Sequence, residues 1–344
     1  MRRNAYLHAL AAAAILVPAA ANADPNWEFQ LCTATGANTA PNYVKCIDRT
    51  GNVTQNVATG GNGGIATGGN SGALTQRGDK LLVINPASGD ATRFHLNGGQ
   101  LGQGELLVTG GSPVSGALNH GAYVLTGSAL FHFPEDGTAF DSSEPLLIGD
   151  GSAAQVIVTN EWAYVSEKSG SVEAFALGER GALVGHATAV AGVTPGVIVG
   201  MAAEREIAIV PIAHLASNPG KSEIDVVKGL AVVQYEPTAQ VAACWADAED
   251  DKVCITNPGS KTISCGTVDR SGILGFNQVA VAEPTESQFD ISVRRGIAGV
   301  LVKTPNGFAL RSYRLGFDDQ LFDVGETPVG AAAANGVVVL PGSR

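Results

Sequence analysis

The stretch Trp162 to Leu183 reads WAYVSEKSGSVEAFALGERGAL and holds the pattern on which the fold rests. An apolar strand of a few residues is followed by a small polar turn, a second strand, and a turn before a small residue and Leu. Working outward, Lys80 to Leu101 (KLLVINPASGDATRFHLNGGQL) and Lys252 to Leu274 (KVCITNPGSKTISCGTVDRSGIL) repeat the cassette. Weaker copies begin near Phe29, Ala122, Ile207 and Gly299, which brings the number to seven. Apart from a longer first step, the spacing is about 40–45 residues, the period of a four-stranded propeller blade.

The pattern predicts an all-β chain, a seven-bladed β-propeller of four-stranded antiparallel blades, within one domain over residues 24–344. Short β-branched runs bounded by Gly, Asn, Asp or Pro recur, and no segment carries a helical period with caps at both ends. Inner strands are expected at Gly72–Gln76, Val114–Leu118, Ala153–Val158, Gly196–Gly200, Val241–Ala246, Gln288–Val293 and Val329–Ala334. The last of these would pair with the first cassette near Phe29, so that N- and C-terminal strands close the ring and remove its open edges. Pro211 to Lys228 lengthens the fifth cassette and reads as a loop on one rim, where partners commonly bind. The Gly-rich run Ala58 to Ser71 has neither a following helix nor a G-x-x-x-x-G-K-[ST] pattern, which favours a loop over a phosphate cradle.

Residues 1–23 read as a signal peptide. Arg2 and Arg3 precede an apolar core at Leu10–Val17, and Ala21-Asn22-Ala23 is an A-x-A cleavage site. The expected location is therefore secreted, extracellular, with no membrane insertion. Without Arg2 and Arg3 the chain carries 19 Lys plus Arg against 32 Asp plus Glu, or −13, which argues against nucleic acid and anionic membrane as partners. An oxidising compartment suits the five cysteines. Cys32 and Cys46 fall in the two strands of the first cassette, and Cys254 and Cys265 in those of the sixth. Facing Cβ atoms of paired strands sit at disulfide distance, so Cys32–Cys46 and Cys254–Cys265 are expected, with Cys244 free and buried. No C-x-x-C occurs, which argues against zinc; no cofactor or metal is expected, and the chain is expected to be a monomer. Asn52-Val53-Thr54 is a sequon that matters only in a eukaryotic source.

The cassettes and their flanking phrases resemble the lactonase-like seven-bladed propellers, a group with bacterial phosphogluconolactonases and fungal carboxymuconate cyclases, and most of all its secreted branch. The phrases are ATGGNGG at Ala58, VSEKSGSVEAFAL at Val165, Thr194-Pro195-Gly196, AACWA at Ala242 and TNPGSKTIS at Thr256. The resemblance implies a channel-mouth site built from a carboxylate, arginines and a histidine. Arginines would hold an anionic substrate, and a Glu or His would move the proton in lactone opening or closure. Glu167 falls where the family has its strand-end glutamate and is the candidate catalytic acid or base. The family's Gly-Pro-Arg-His phrase is replaced by Ser152-Ala153-Ala154-Gln155, leaving Ala154 in place of the arginine and Gln155 in place of the histidine. Trp245 stands where a further arginine belongs, and the third-blade histidine aligns around Pro113-Val114-Ser115. Loss of such charge-stabilising groups costs several kcal/mol of barrier each, so the family reaction is not expected.

Gln155, Ser115 and Asn257 remain as candidate hydrogen-bonding groups for a neutral ligand. Trp245 could stack on one, although inter-blade packing suits it better. His95 and His132 occupy alternating strand positions and read as blade-surface residues, while His120 lies in a tight turn. Asp247, Glu249, Asp250 and Asp251 read as a solvated hairpin tip rather than a calcium loop. Three functions follow. The first is a ligand- or partner-binding protein, for a small molecule or an extracellular protein or glycan, with the catalytic set largely lost. The second is a diverged lactonase or cycloisomerase using Glu167, for which a polar pocket around that residue would speak. The third is an extracellular structural or host-interaction protein, marked by an apolar, plugged channel. The binding protein is preferred.

Overall fold

A computed structural model of the chain describes residues 28–37, 39–64, 71–214, 221–279, 287–316 and 320–342. Residues 1–27, which include the expected signal peptide, residues 65–70 of the Gly-rich run and residues 215–220 of the fifth-cassette insertion lie outside the described residues. The chain enters with β1 (Phe29–Ala34), β2 (Pro41–Asp48) and β3 (Val53–Asn62) of blade 1. Blade 2 is β4 (Leu74–Arg77), β5 (Lys80–Asn85), β6 (Asp90–Asn97) and β7 (Gln100–Val108). Blade 3 is β8 (Pro113–Leu118), β9 (Gly121–Thr126), β10 (Ala129–Pro134) and β11 (Ser142–Pro145). Blade 4 is β12 (Ala153–Val158), β13 (Trp162–Glu167), β14 (Ser171–Leu177) and β15 (Leu183–Ala189). Blade 5 is β16 (Ala202–Glu204), β17 (Ile207–Ile212), β18 (Glu223–Lys228) and β19 (Ala231–Pro237). Blade 6 is β20 (Trp245–Glu249), β21 (Lys252–Asn257), β22 (Thr262–Asp269) and β23 (Gly272–Val279). Blade 7 is β24 (Ser287–Arg294), β25 (Ile297–Thr304), β26 (Gly307–Leu315) and β27 (Leu321–Pro328). The chain then returns as β28 (Asn335–Pro341), the inner strand of blade 1, paired antiparallel with β1. The seven four-stranded sheets and the terminal closure agree with the sequence pattern.

Alternation along each strand explains why blades pack. On β5, Leu81 and Val83 enter a cluster shared with blade 1, whereas Leu82 and Ile84 enter one shared with blade 3. On β13, Ala163 and Val165 face blade 3 and Tyr164 faces blade 5. An apolar cluster of this kind fills each of the seven blade junctions among the described residues. Burying one such aliphatic side chain is worth about 1.5–3 kcal/mol, and no blade can do this alone.

Three inner strands, those of blades 5, 1 and 6, differ most from expectation. In blade 5 the regular strand begins at Ala202 instead of Gly196, because an extra residue interrupts the ladder. Ala202 pairs with Ile209, but Val197 bridges Ala213. In blade 1 the strand begins at Asn335 rather than Val329. The Val329 N–H still bonds the Phe308 carbonyl of blade 7 at 2.8 Å, so the chain crosses to β1 only beyond it. The inner strand of blade 6 extends past Ala246 to Glu249. As a result only Asp250 and Asp251, at φ 52° and 65°, form the hairpin tip, whereas Asp247 and Glu249 lie on the inner strand.

Both expected disulfides are present, Cys32–Cys46 and Cys254–Cys265, each between directly paired residues. Cys244 is free and buried. His132 is not a surface residue. Its Nδ1 meets Asp141 Oδ1 at 2.7 Å and its Nε2 lies 3.3 Å from the His120 carbonyl.

Candidate functional site

The inner strands run parallel around an axis, which defines a leading rim where they begin and a trailing rim where they end. Their axial edges have no strand partner, so backbone N–H and C=O groups must bond side chains, water or a ligand there. A belt of side chains meets part of that need. Ser115 Oγ accepts from Val156 N at 3.2 Å, and Gln155 Oε1 accepts from Met201 N. Asp247 Oδ2 accepts from Val293 N at 2.7 Å, and Ser292 Oγ from Val339 N at 3.4 Å. In each case a polar group of one inner strand satisfies the next blade, one repeat further along the chain.

Inside the belt lies a lumen of about 540 Å³. Ser71, Gly72, Gln155, Met201, Asp290 and Val337 line one end and are all buried. Arg77, Asn160, Arg205 and Asp250 line the other and are exposed, so the lumen opens at the trailing rim. The open end balances its charges. Arg205 lies 2.6 Å from Asp251 and 3.5 Å from Glu204. Arg294 lies 3.7 Å from Glu249 and also bonds Gln76 across the mouth. Arg77 makes no ion pair among the described residues, and burial pulls its guanidinium pKa down while Glu204 pulls it back.

Two acids line the lumen inward of the mouth, Asp290 at the closed end and Asp247 midway along it. Asp290 Oδ1 accepts from Ser71 Oγ at 2.9 Å and from Ile291 N at 3.0 Å. Burial pushes Asp290 up to about 7, with Asp247 adding to the rise and the bonds from Ser71 and Ile291 opposing it. Asp247 is likewise pushed up to about 7 by burial, against the Val293 amide bond. Neither carboxyl has an Arg, Lys or His within ion-pair distance among the described residues.

The five residues singled out from sequence do not converge. Gln155 lines the lumen. Ser115 is buried behind it in the belt. Trp245 is 6% exposed, packs on Phe289 with ring centroids 5.9 Å apart, and leaves its indole N–H without a partner. Asn257 donates to Ser264 Oγ at 3.0 Å and Thr262 Oγ1 at 3.2 Å, beside a separate cavity of about 100 Å³. Glu167 ends β13 opposite Ala153, at the leading rim and outside the lumen lining. It is fully buried, accepts from Ser152 Oγ at 2.7 Å through Oε2, and its Oε1 has no hydrogen-bond partner among the described residues. Burial pushes its pKa up to about 7, with the Ser152 bond opposing.

Sequence reasoning missed Asp290, Arg294 and Arg77, and placed Asp247 in a turn. A signal was available: SQFDISVR at Ser287–Arg294 and WADAE at Trp245–Glu249 carry acids at positions of an inner strand that should be apolar.

No protein-family profile and no curated protein sequence matches the chain. Solved structures do. A functionally unknown protein from Desulfotomaculum acetoxidans is 12% identical, with 92% of this chain and 99% of that chain covered and a TM-score of 0.63. A protein from Lactobacillus plantarum is 12% identical over 91% and 99% of the two chains, with a TM-score of 0.61. A candidate 6-phosphogluconolactonase from Bacteroides fragilis is 12% identical over 93% and 100%, with a TM-score of 0.58. At these identities the likeness concerns the fold alone, which the chain shares with these proteins.

Proposed function

We propose that this is an exported, lactonase-like propeller that binds a small polar ligand in its central lumen, with the family's catalytic set largely lost. The lumen itself carries the proposal: it is open at one rim, closed at the other, and lined by Gln155, Asp247, Ser292 and Asp290. Its volume of about 540 Å³ falls within the roughly 300–1,000 Å³ of small-molecule sites. Two disulfides suit an oxidising compartment, and no described helix is long and apolar enough to cross a membrane. An apolar, plugged channel would have spoken for a purely structural role, and the lumen is neither.

A screen of small molecules by thermal shift tests the proposal, with Asn160→Trp at the exposed mouth as the blocking variant. A ligand that raises the melting temperature of the native protein and not of the variant is the expected result. If no small molecule stabilises the protein, or if stabilisation survives the blocked mouth, the lumen is not the site.

Glu167 supports a second reading, a diverged lactonase or cycloisomerase, because a buried carboxyl near neutrality with a free oxygen suits acid–base work. Turnover of carboxymuconate or a lactone that vanishes in Glu167→Gln would establish it in place of the binding role.

A further inference from the structure

We infer that the inner part of the lumen, away from the mouth, takes the protonated amine of a small aliphatic ligand, with Asp247 and Asp290 as acceptors and the Gln155 amide donating to an oxygen of the same ligand. The inference rests on the ligand-binding role and names its chemical class.

Three observations carry it. First, charge is unevenly distributed along the lumen. The arginines all sit toward the open end, where Arg205 and Arg294 pair with acids, while Asp290 faces the closed end and Asp247 the middle of the lumen, both without a counter-ion among the described residues. An anion meets two carboxyl groups there, and a neutral polyol leaves their charge uncompensated. An ammonium supplies one positive charge and three donors.

Second, Gln155 is buried to more than nine-tenths and lines the lumen. Its Oε1 is taken by Met201 N, whereas its Nε2 has no hydrogen-bond partner among the described residues. That amide donor faces the lumen, where an oxygen of a bound ligand can take the place of water as its acceptor. It projects from blade 4, across the ring from Asp247 of blade 6 and Asp290 of blade 7, so donor and acceptors address opposite sides of one ligand.

Third, no aromatic side chain lines the lumen, so neither ring stacking nor a cation–π cage selects the ligand. A hard metal ion fits poorly. It takes about six or more oxygens, and two of the carboxylate oxygens already accept from Ser71, Ile291 and Val293.

Calorimetric titration of the oxidised protein with glucosamine, glucose and gluconate tests this, because they are hydroxylated six-carbon ligands of positive, zero and negative charge. Glucosamine is expected to bind at least about tenfold more tightly than the other two. Asp290→Asn and Asp247→Asn, which keep an oxygen for the Ser71 and Val293 donors, are expected to lose that preference while melting no lower than the native protein. Ethanolamine, a smaller amine with one hydroxyl, should compete with glucosamine. Equal or tighter binding of glucose or gluconate, or a preference unchanged in both folded variants, overturns the inference. So does failure of both amines to bind, and in that case the ligand-binding role stands or falls separately on the thermal-shift screen.

Discussion

Individual side chains in this propeller show how burial sets chemistry. Glu167 has an ordinary carboxyl pKa of 4.5 and is pushed up to about 7 in the fold. The folded state therefore holds a proton that the unfolded chain has released, and stability falls as pH rises from about 4.5 through about 7. Glu167→Gln should remove that loss. Thermal melts of the two proteins should coincide near pH 4 and separate near pH 8, with the variant more stable by about 3 kcal/mol. A variant less stable at pH 8 would mean that the ionised carboxylate has a partner. Cys244 is the opposite case. Burial pushes its thiol up to about 12, so little thiolate exists near neutrality. A thiol reagent should label no cysteine in the native oxidised protein, one after unfolding, and five after unfolding and reduction; labelling of the native form would disprove the burial.

At the scale of strands, the belt between neighbouring inner strands is the device that sequence patterns hid. Ser115 and Gln155 attracted attention as polar residues near the axis. Ser115 proves to hold the Val156 amide of the next blade, and Gln155 divides its two ends between the Met201 amide and the lumen. Ser115→Ala should leave a buried N–H unsatisfied and cost about 1–3 kcal/mol, measurable by urea unfolding; an unchanged midpoint would assign that amide to water.

The strand alternation, the seven cassettes and both disulfides were legible because each depends on local periodicity. Strand limits in blades 1 and 5 were not, since a one-residue interruption leaves no mark on hydropathy. Nor was the site. Glu167 and Trp245 lie within the phrases that resemble relatives, but those phrases mark the leading rim. The lumen opens at the other, through charges such as Arg294 and Glu249 that only the ring brings together.

For the molecule as a whole, closure by β28 is the joint that holds the ring. Ending the chain at Ala334 should remove the inner strand of blade 1 and bare the edge of β1, a template for pairing with other chains. Aggregated or strongly destabilised protein is the expected outcome in size-exclusion chromatography, and a native-like monomer would show that the other six blades suffice. The same joint has a steric consequence for the entrance. The Gly342 N–H bonds the Glu28 carbonyl at 2.7 Å, and Pro341 pairs with Phe29. Both chain ends thus leave the ring side by side, on the innermost strand pair of blade 1 and at the trailing rim. An affinity handle joined directly before Glu28 or directly after Gly342 would hang over the doorway of the lumen and compete for it, so that tagged protein should bind its ligand more weakly, and load more slowly, than the same protein with the handle cut away.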